Sequence, residues 1–246
     1  MVVGHLRGIE MKATLSRGRR AGRALDRKLR LSGLTAALLL LLSSVAHAQP
    51  APIVLPMAQA AWHQHYNAPG GISYGNAAPM RVMPDGLAET FPQKSSDRQF
   101  NYLVTSMHGA DLTARKSITV TVKLTPLTGA PVFKYSNGCV QAWCNPAELK
   151  LLIWGPPGDL YSTGDRWWSD AAIPMVAGVH TFTVSLDPTH WTGVLGQSGA
   201  TSAGYHNCLK QVLSIGMTFG GGYYAGHGLS TDGGTAEFEL LKYEVD

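Results

Sequence analysis

The densest chemistry in the chain lies between Gly155 and Asp170, which read GPPGDLYSTGDRWWSD. Two indoles stand side by side at Trp167 and Trp168, directly after Arg166, with Asp159, Asp165 and Asp170 close in sequence. Flat indole faces stack on the apolar faces of sugars and other planar ligands, while a nearby Asp or Arg fixes polar groups. On a strand, successive side chains point to opposite faces, so at most one of the two indoles belongs to a core. The other is then exposed, set in a groove or capped by a neighbour. The competing expectation is that both are covered and that Arg166 simply bonds a carboxylate. A second stretch, Gly220 to Gly234, carries Tyr223, Tyr224, His227 and Asp232 among glycines that permit positive φ and close backbone approach. It reads either as a binding loop at the rim of the fold or as an aromatic-rich turn packed on its sheet. The candidate ligand-binding set is Arg166, Trp167, Trp168, Tyr223, Tyr224 and His227. Asp159, Asp165 and Asp232 offer the oxygen donors that a structural Ca²⁺ takes. The sequence indicates no other cofactor.

Patterns that would signal catalysis lack their context. Gly71-Ile72-Ser73-Tyr74-Gly75 matches G-x-S-x-G, but a nucleophile elbow needs a strand before the serine and a helix after it. Asn67-Ala68-Pro69-Gly70 and Asn76-Ala77-Ala78-Pro79 supply neither. His63 and His65 share one face of an extended segment, without the third ligand a metal site requires. Glu237 and Glu239 share a strand face expected to be solvated. Cys208 follows His206 by two residues on a short helical piece. No P-loop and no H-E-x-x-H motif is present, and no catalytic residue is assigned.

Three cysteines occur, Cys139, Cys144 and Cys208. In an oxidising compartment one pair is expected to bridge. Cys139 and Cys144 enclose a short loop and form the favoured pair, while pairings with Cys208 stay open from sequence alone.

The leader argues for that compartment. Residues 1–48 hold nine Lys and Arg against two acids, and the remainder holds eleven against fourteen. The basic character thus belongs to the N-terminus, and the rest gives no electrostatic case for nucleic acid. Arg17 to Arg30 forms a positive region and Leu34 to Val45 an apolar run, shorter than the roughly 20 residues of a membrane span. Ala46-His47-Ala48 then matches an A-x-A cleavage site. A signal peptide cleaved after Ala48 is expected, with translation from Met1 or Met11, and a secreted or periplasmic product. No second apolar run of membrane length follows. Nothing in the sequence speaks to oligomeric state.

The elements that would position the candidate residues are strands. Ile118, Val120, Val122 and Leu124 alternate with polar residues, as do Phe182, Val184 and Leu186, and Ile215, Met217 and Phe219. Strands are also expected over 100–107, 132–135, 149–154 and 236–243, the last with a bulge after Leu240. Asp187-Pro188 reads as a cap opening a short helix, and Ala203 to Gln211 as a second helical piece. Residues 49–98, punctuated by prolines, are expected to form a loose segment with one or two short strands at most. This pattern predicts an all-β fold, an antiparallel β-sandwich of jelly-roll type with one or two short helices, over residues 99–246.

At RWWS (Arg166 to Ser169), SLDPTHW (Ser185 to Trp191) and IGMTFGGGYYAGHGL (Ile215 to Leu229) the chain resembles a group of secreted bacterial β-sandwich proteins. Their closing strands are similar to the galactose-binding-like jelly rolls of carbohydrate-binding modules. The resemblance implies an exported, non-catalytic sandwich that binds a glycan or another polar small ligand. Two alternatives remain at this point: a structural or interaction protein of the cell envelope with no small ligand, and a hydrolase with a site assembled from loops.

Overall fold

Why the alternating segments pair as they do is visible in the computed structural model, which describes residues 50–68, 71–73, 80–93, 99–135, 147–157, 165–220 and 228–246. All lie in the second of two compact units, Ala48–Asp246. The named strands pair antiparallel throughout, in one 13-stranded sheet folded onto itself as a sandwich of jelly-roll type. Among the described residues one α-helix is present, α1 (Ala203–Lys210). No helix of the described residues is long and apolar enough to cross a membrane.

One layer is built on two long strands, β7 (Ser117–Tyr135) and β13 (Leu229–Val245), which pair along nearly their whole length. β10 (Gly178–Ser185) adds to β7. β5 (Gly86–Thr90) and β1 (Ile53–Val54) add to β13, with β4 (Arg81–Met83) beyond β5. The other layer runs β2 (Trp62–Ala68), β6 (Gln99–Ala110), β12 (Val212–Gly220), β8 (Glu148–Trp154), β9 (Arg166–Pro174) and β11 (Trp191–Gly193). β3 (Gly71–Ser73) pairs with β2. Leu229 pairs with both Phe100 and Tyr135, so the first residue of β13 stitches the two layers together.

The inward faces follow the period of two. Ile118, Val120, Val122 and Leu124 of β7 enter the core with Phe238, Leu240 and Tyr243 of β13. Leu103, Ile215, Met217, Phe219, Leu151 and Ile153 face them from the other layer. Phe219 stacks on Phe100 with centroids 4.4 Å apart and meets Phe238 edge-on at 5.2 Å, which locks layer to layer. The Tyr243 hydroxyl donates to the carbonyl of Gly216 at 3.2 Å. At Gly216 a Cβ would meet the Leu103 carbonyl oxygen at 2.0 Å, so this close approach of β12 to β6 admits only glycine.

Several expectations are refined. The bulge after Leu240 is present, as a register shift between Leu240 and Lys242. The segments 117–124 and 132–135 are one strand, β7, carried through Pro126 and Pro131 by bulges opposite Gly233 and Thr235. His108 and Gly109, beyond the expected strand end at Met107, still belong to β6. Both take positive φ within β6, where the register to β12 slips. Between Ile53 and Thr90 the described residues form five short strands rather than one or two. Trp62 and Tyr66 are buried there by pairing with β6, a tertiary effect that local proline content hides. Asp187 does cap the next turn, accepting from the Thr189 amide at 2.9 Å, but only a 3₁₀ turn (Pro188–His190) follows before β11. Ser202 caps α1 by accepting from the Gly204 amide.

Candidate functional site

Strand alternation sends Trp167 and Trp168 to opposite faces of β9, and both are covered. Trp167 is fully buried between the layers, edge-on to Tyr205 of α1 at 5.3 Å. Gly193 lies against it so closely that a Cβ would stand 2.9 Å from the ring. Trp167 is thus a core residue, and its indole offers no face to a ligand. Trp168 is 8% exposed and lies on the outer face of its layer, in a second cluster with Tyr102, Val104, Leu152 and Trp154.

The register assembles that outer face residue by residue. Trp168 pairs with Leu152, Leu152 with Gly216, and Gly216 with Val104. One row along, His65 pairs with Tyr102, Tyr102 with Thr218, and Thr218 with Lys150. Arg166 pairs with Trp154 and lies two residues before Trp168, so it shares their face. Its guanidinium carbon stands 5.8 Å from the Trp154 centroid and 5.7 Å from that of Trp168. A guanidinium between two indoles gains from both ring quadrupoles, most strongly where water is excluded. Asp165 accepts from the Trp154 indole N–H at 3.2 Å and so holds that ring in place. Of the sequence alternatives for Trp168, capping by a neighbour is the one observed, and the neighbour is Arg166.

The face is polar in a particular way. His65 sits edge-on to Tyr102 at 6.4 Å, and burial, with His63 close by, lowers its pKa to about 4. It is therefore a neutral imidazole at physiological pH. Burial raises the Tyr102 hydroxyl above its ordinary range, with Arg166 opposing the shift. The Trp168 Nε1 and the Thr218 Oγ1 are buried and have no hydrogen-bond partner among the described residues. Sequence reasoning missed Tyr102, Trp154 and Thr218. The alternation of Lys150, Leu152 and Trp154 on a covered face was the signal for Trp154. Tyr102 and Thr218 acquire meaning only through register.

The remaining candidates divide. Tyr223, Tyr224 and His227 lie outside the described residues, as do Asp159, Cys139 and Cys144. Asp165 is buried against Trp154, and Asp232 lies on β13 opposite Val132. No group of three or more His, Cys, Asp or Glu among the described residues is arranged to hold a metal. Glu237 and Glu239, expected in solvent, are 6% and 5% exposed. Each is ion-paired, Glu237 with Arg81 and Glu239 with Lys123 at 2.7 Å, which explains how they tolerate burial. Cys208 is a buried free thiol, pushed up to about 12 by burial and by the charge of Asp165.

No family model and no curated protein matches the chain. Among solved structures it is similar to a family 11 carbohydrate-binding module from Clostridium thermocellum in complex with a β-1,3-1,4-mixed-linked tetrasaccharide. That match has a TM-score of 0.42 and 12% identity, covering 79% of this chain and 94% of that one. It is also similar to the xylan-binding module CBM15, with a TM-score of 0.39, 12% identity and coverage of 77% and 96%. The L4b domain of human laminin alpha-2 matches with a TM-score of 0.45, 9% identity and coverage of 80% and 97%. The likeness is one of fold.

Proposed function

We propose that the protein is an exported, non-catalytic sandwich that binds a glycan at the outer face built by Tyr102, Trp154, Arg166, Trp168 and Thr218. The observation that carries this reading is the pair of buried polar atoms, Trp168 Nε1 and Thr218 Oγ1, without partners among the described residues. A buried polar group left unsatisfied costs about 1–3 kcal/mol. A sugar hydroxyl both donates and accepts, so a row of them satisfies an indole N–H and a threonine hydroxyl together. Tyr102, Trp154 and Trp168, 2–8% exposed, frame the two atoms, and Arg166 lies over both indoles on the same side. Nothing in this face requires a metal.

The test is affinity electrophoresis of the mature protein through gels containing soluble glucans, xylans or galactans, wild type beside Thr218→Val. Retardation by at least one glycan, reduced in the variant, supports the reading. Equal mobility in every gel would remove it and leave ordered water as the partner of both atoms. Export has its own test. Expression in a bacterial host with intact secretion should yield a product whose first residue is Gln49, and a full-length cytoplasmic product would contradict it.

The burial of Trp167 favours a second reading, a structural module of the envelope. It requires that the outer face serve packing alone, which the same gels would show.

A further inference from the structure

A second concavity shares no residue with the Arg166 face. It has a volume of about 430 Å³ and opens between β7 and the turn from β9 into β10. Its lining includes Leu124, Pro126 and Phe133 of β7, Met175 and Val176 of the turn, and Ala236 of β13. Its shape comes from the backbone. Pro126, Pro131 and Gly129, with φ of +61°, interrupt the regular run of β7, and its register to β13 shifts between Asp232 and Gly234 and again between Thr235 and Ala236.

The lining is unusual in its charge. No Asp, Glu, Lys, Arg or His contributes to it, and Thr125 supplies the sole side-chain hydroxyl. Six large hydrophobic residues are exposed among the described residues, and two of them, Val132 and Val176, line this cavity from its two segments. Apolar side chains scattered singly on a surface mean little, but their concentration around one concavity marks a binding site. A charged molecule entering here would lose its hydration with no counter-charge to replace it. The volume falls in the roughly 300–1,000 Å³ range of small-molecule sites. The twelve residues of its lining fall short of the roughly 20–30 residues a side of a stable protein interface.

We propose that this cavity is a second ligand site that takes a neutral, largely apolar small molecule. Its occupancy is independent of the glycan face.

The test uses Nile red, a neutral solvatochromic dye, titrated into the mature protein. Wild type is compared with Ala130→Trp, which fills the cavity, and Val176→Glu, which charges its mouth. Both positions are exposed, and near-UV circular dichroism checks the fold. Trp168→Phe serves as the control on the other site. Expected is saturable 1:1 binding with blue-shifted emission, displaced by 1-octanol, weakened at least tenfold in each cavity variant and unchanged in Trp168→Phe. Absence of saturable binding would overturn the proposal, as would wild-type affinity in both cavity variants. Dye binding confined to a dimeric species on light scattering would also overturn it, because the cavity would then belong to an interface between copies.

Discussion

The guanidinium of Arg166 stands over the ring of Trp168, 5.7 Å from its centroid and two residues away on the same strand. The same group stands 5.8 Å from the Trp154 centroid. A planar, delocalised cation suits this slot, and a lysine ammonium does not fill it. Arg166→Lys is expected to lower unfolding free energy by about 1–2 kcal/mol, the size of a desolvated cation–π contact. Urea denaturation followed by far-UV circular dichroism measures it. An unchanged midpoint would mean that the stack contributes nothing.

His65 makes stability depend on pH. Burial, then the nearby His63, lowers its pKa from 6.5 to about 4 in the folded chain. Between these values the unfolded chain binds a proton that the folded chain does not. Stability from this group is therefore fully present above about pH 6.5 and is lost as pH falls towards about 4. Glu89 works in the opposite sense, because burial raises its pKa and its contribution declines as pH rises above 4.5. Both chains in a comparison of wild type with His65→Gln keep Glu89, so their difference isolates the histidine. The melting temperature of wild type should fall more steeply than that of His65→Gln between pH 6.5 and 4. Parallel curves would contradict the buried neutral imidazole.

Cys208 should be inert in the folded protein. With its thiol pushed up to about 12, chiefly by burial, it stays protonated at pH 8. Its sulfur lies 3.6 Å from the Asp165 carbonyl, and the Gly155 backbone passes so close that a Cβ there would stand 2.9 Å from it. Iodoacetamide at pH 8 is expected to leave Cys208 unmodified in the native state and to label it fully in guanidinium, as peptide mapping would show. Equal labelling in both conditions would contradict the burial.

Much of the sandwich was legible because its core strands alternate cleanly. Ile118 to Leu124 and Ile215 to Phe219 announce both their faces and their partners' faces. The N-terminal strands were not legible, because Trp62 to Tyr66 is interleaved with Gln64 and His65 and becomes a strand only by pairing with β6. The run from Thr125 to Pro131 misled in the opposite direction. Two prolines ordinarily end a strand, yet here Pro131 falls in a bulge opposite Gly233, and Pro126 pairs with Ala236 beside a second bulge at Leu127. For the site, local sequence marks Arg166 and Trp168 as adjacent chemistry and cannot separate a core indole from a face indole. Tyr102, Trp154 and Thr218 come from three other strands, and their convergence is a matter of register.

The central claim rests on two atoms, and Trp168→Phe removes one of them while keeping an aromatic ring in the cluster. Isothermal titration calorimetry of wild type and this variant, against each glycan that retards the wild type, tests it directly. The account predicts saturable heat with wild type and affinity at least tenfold weaker in a variant that melts within a few degrees of it. Identical affinity in the folded variant, or no heat with any glycan, would contradict it.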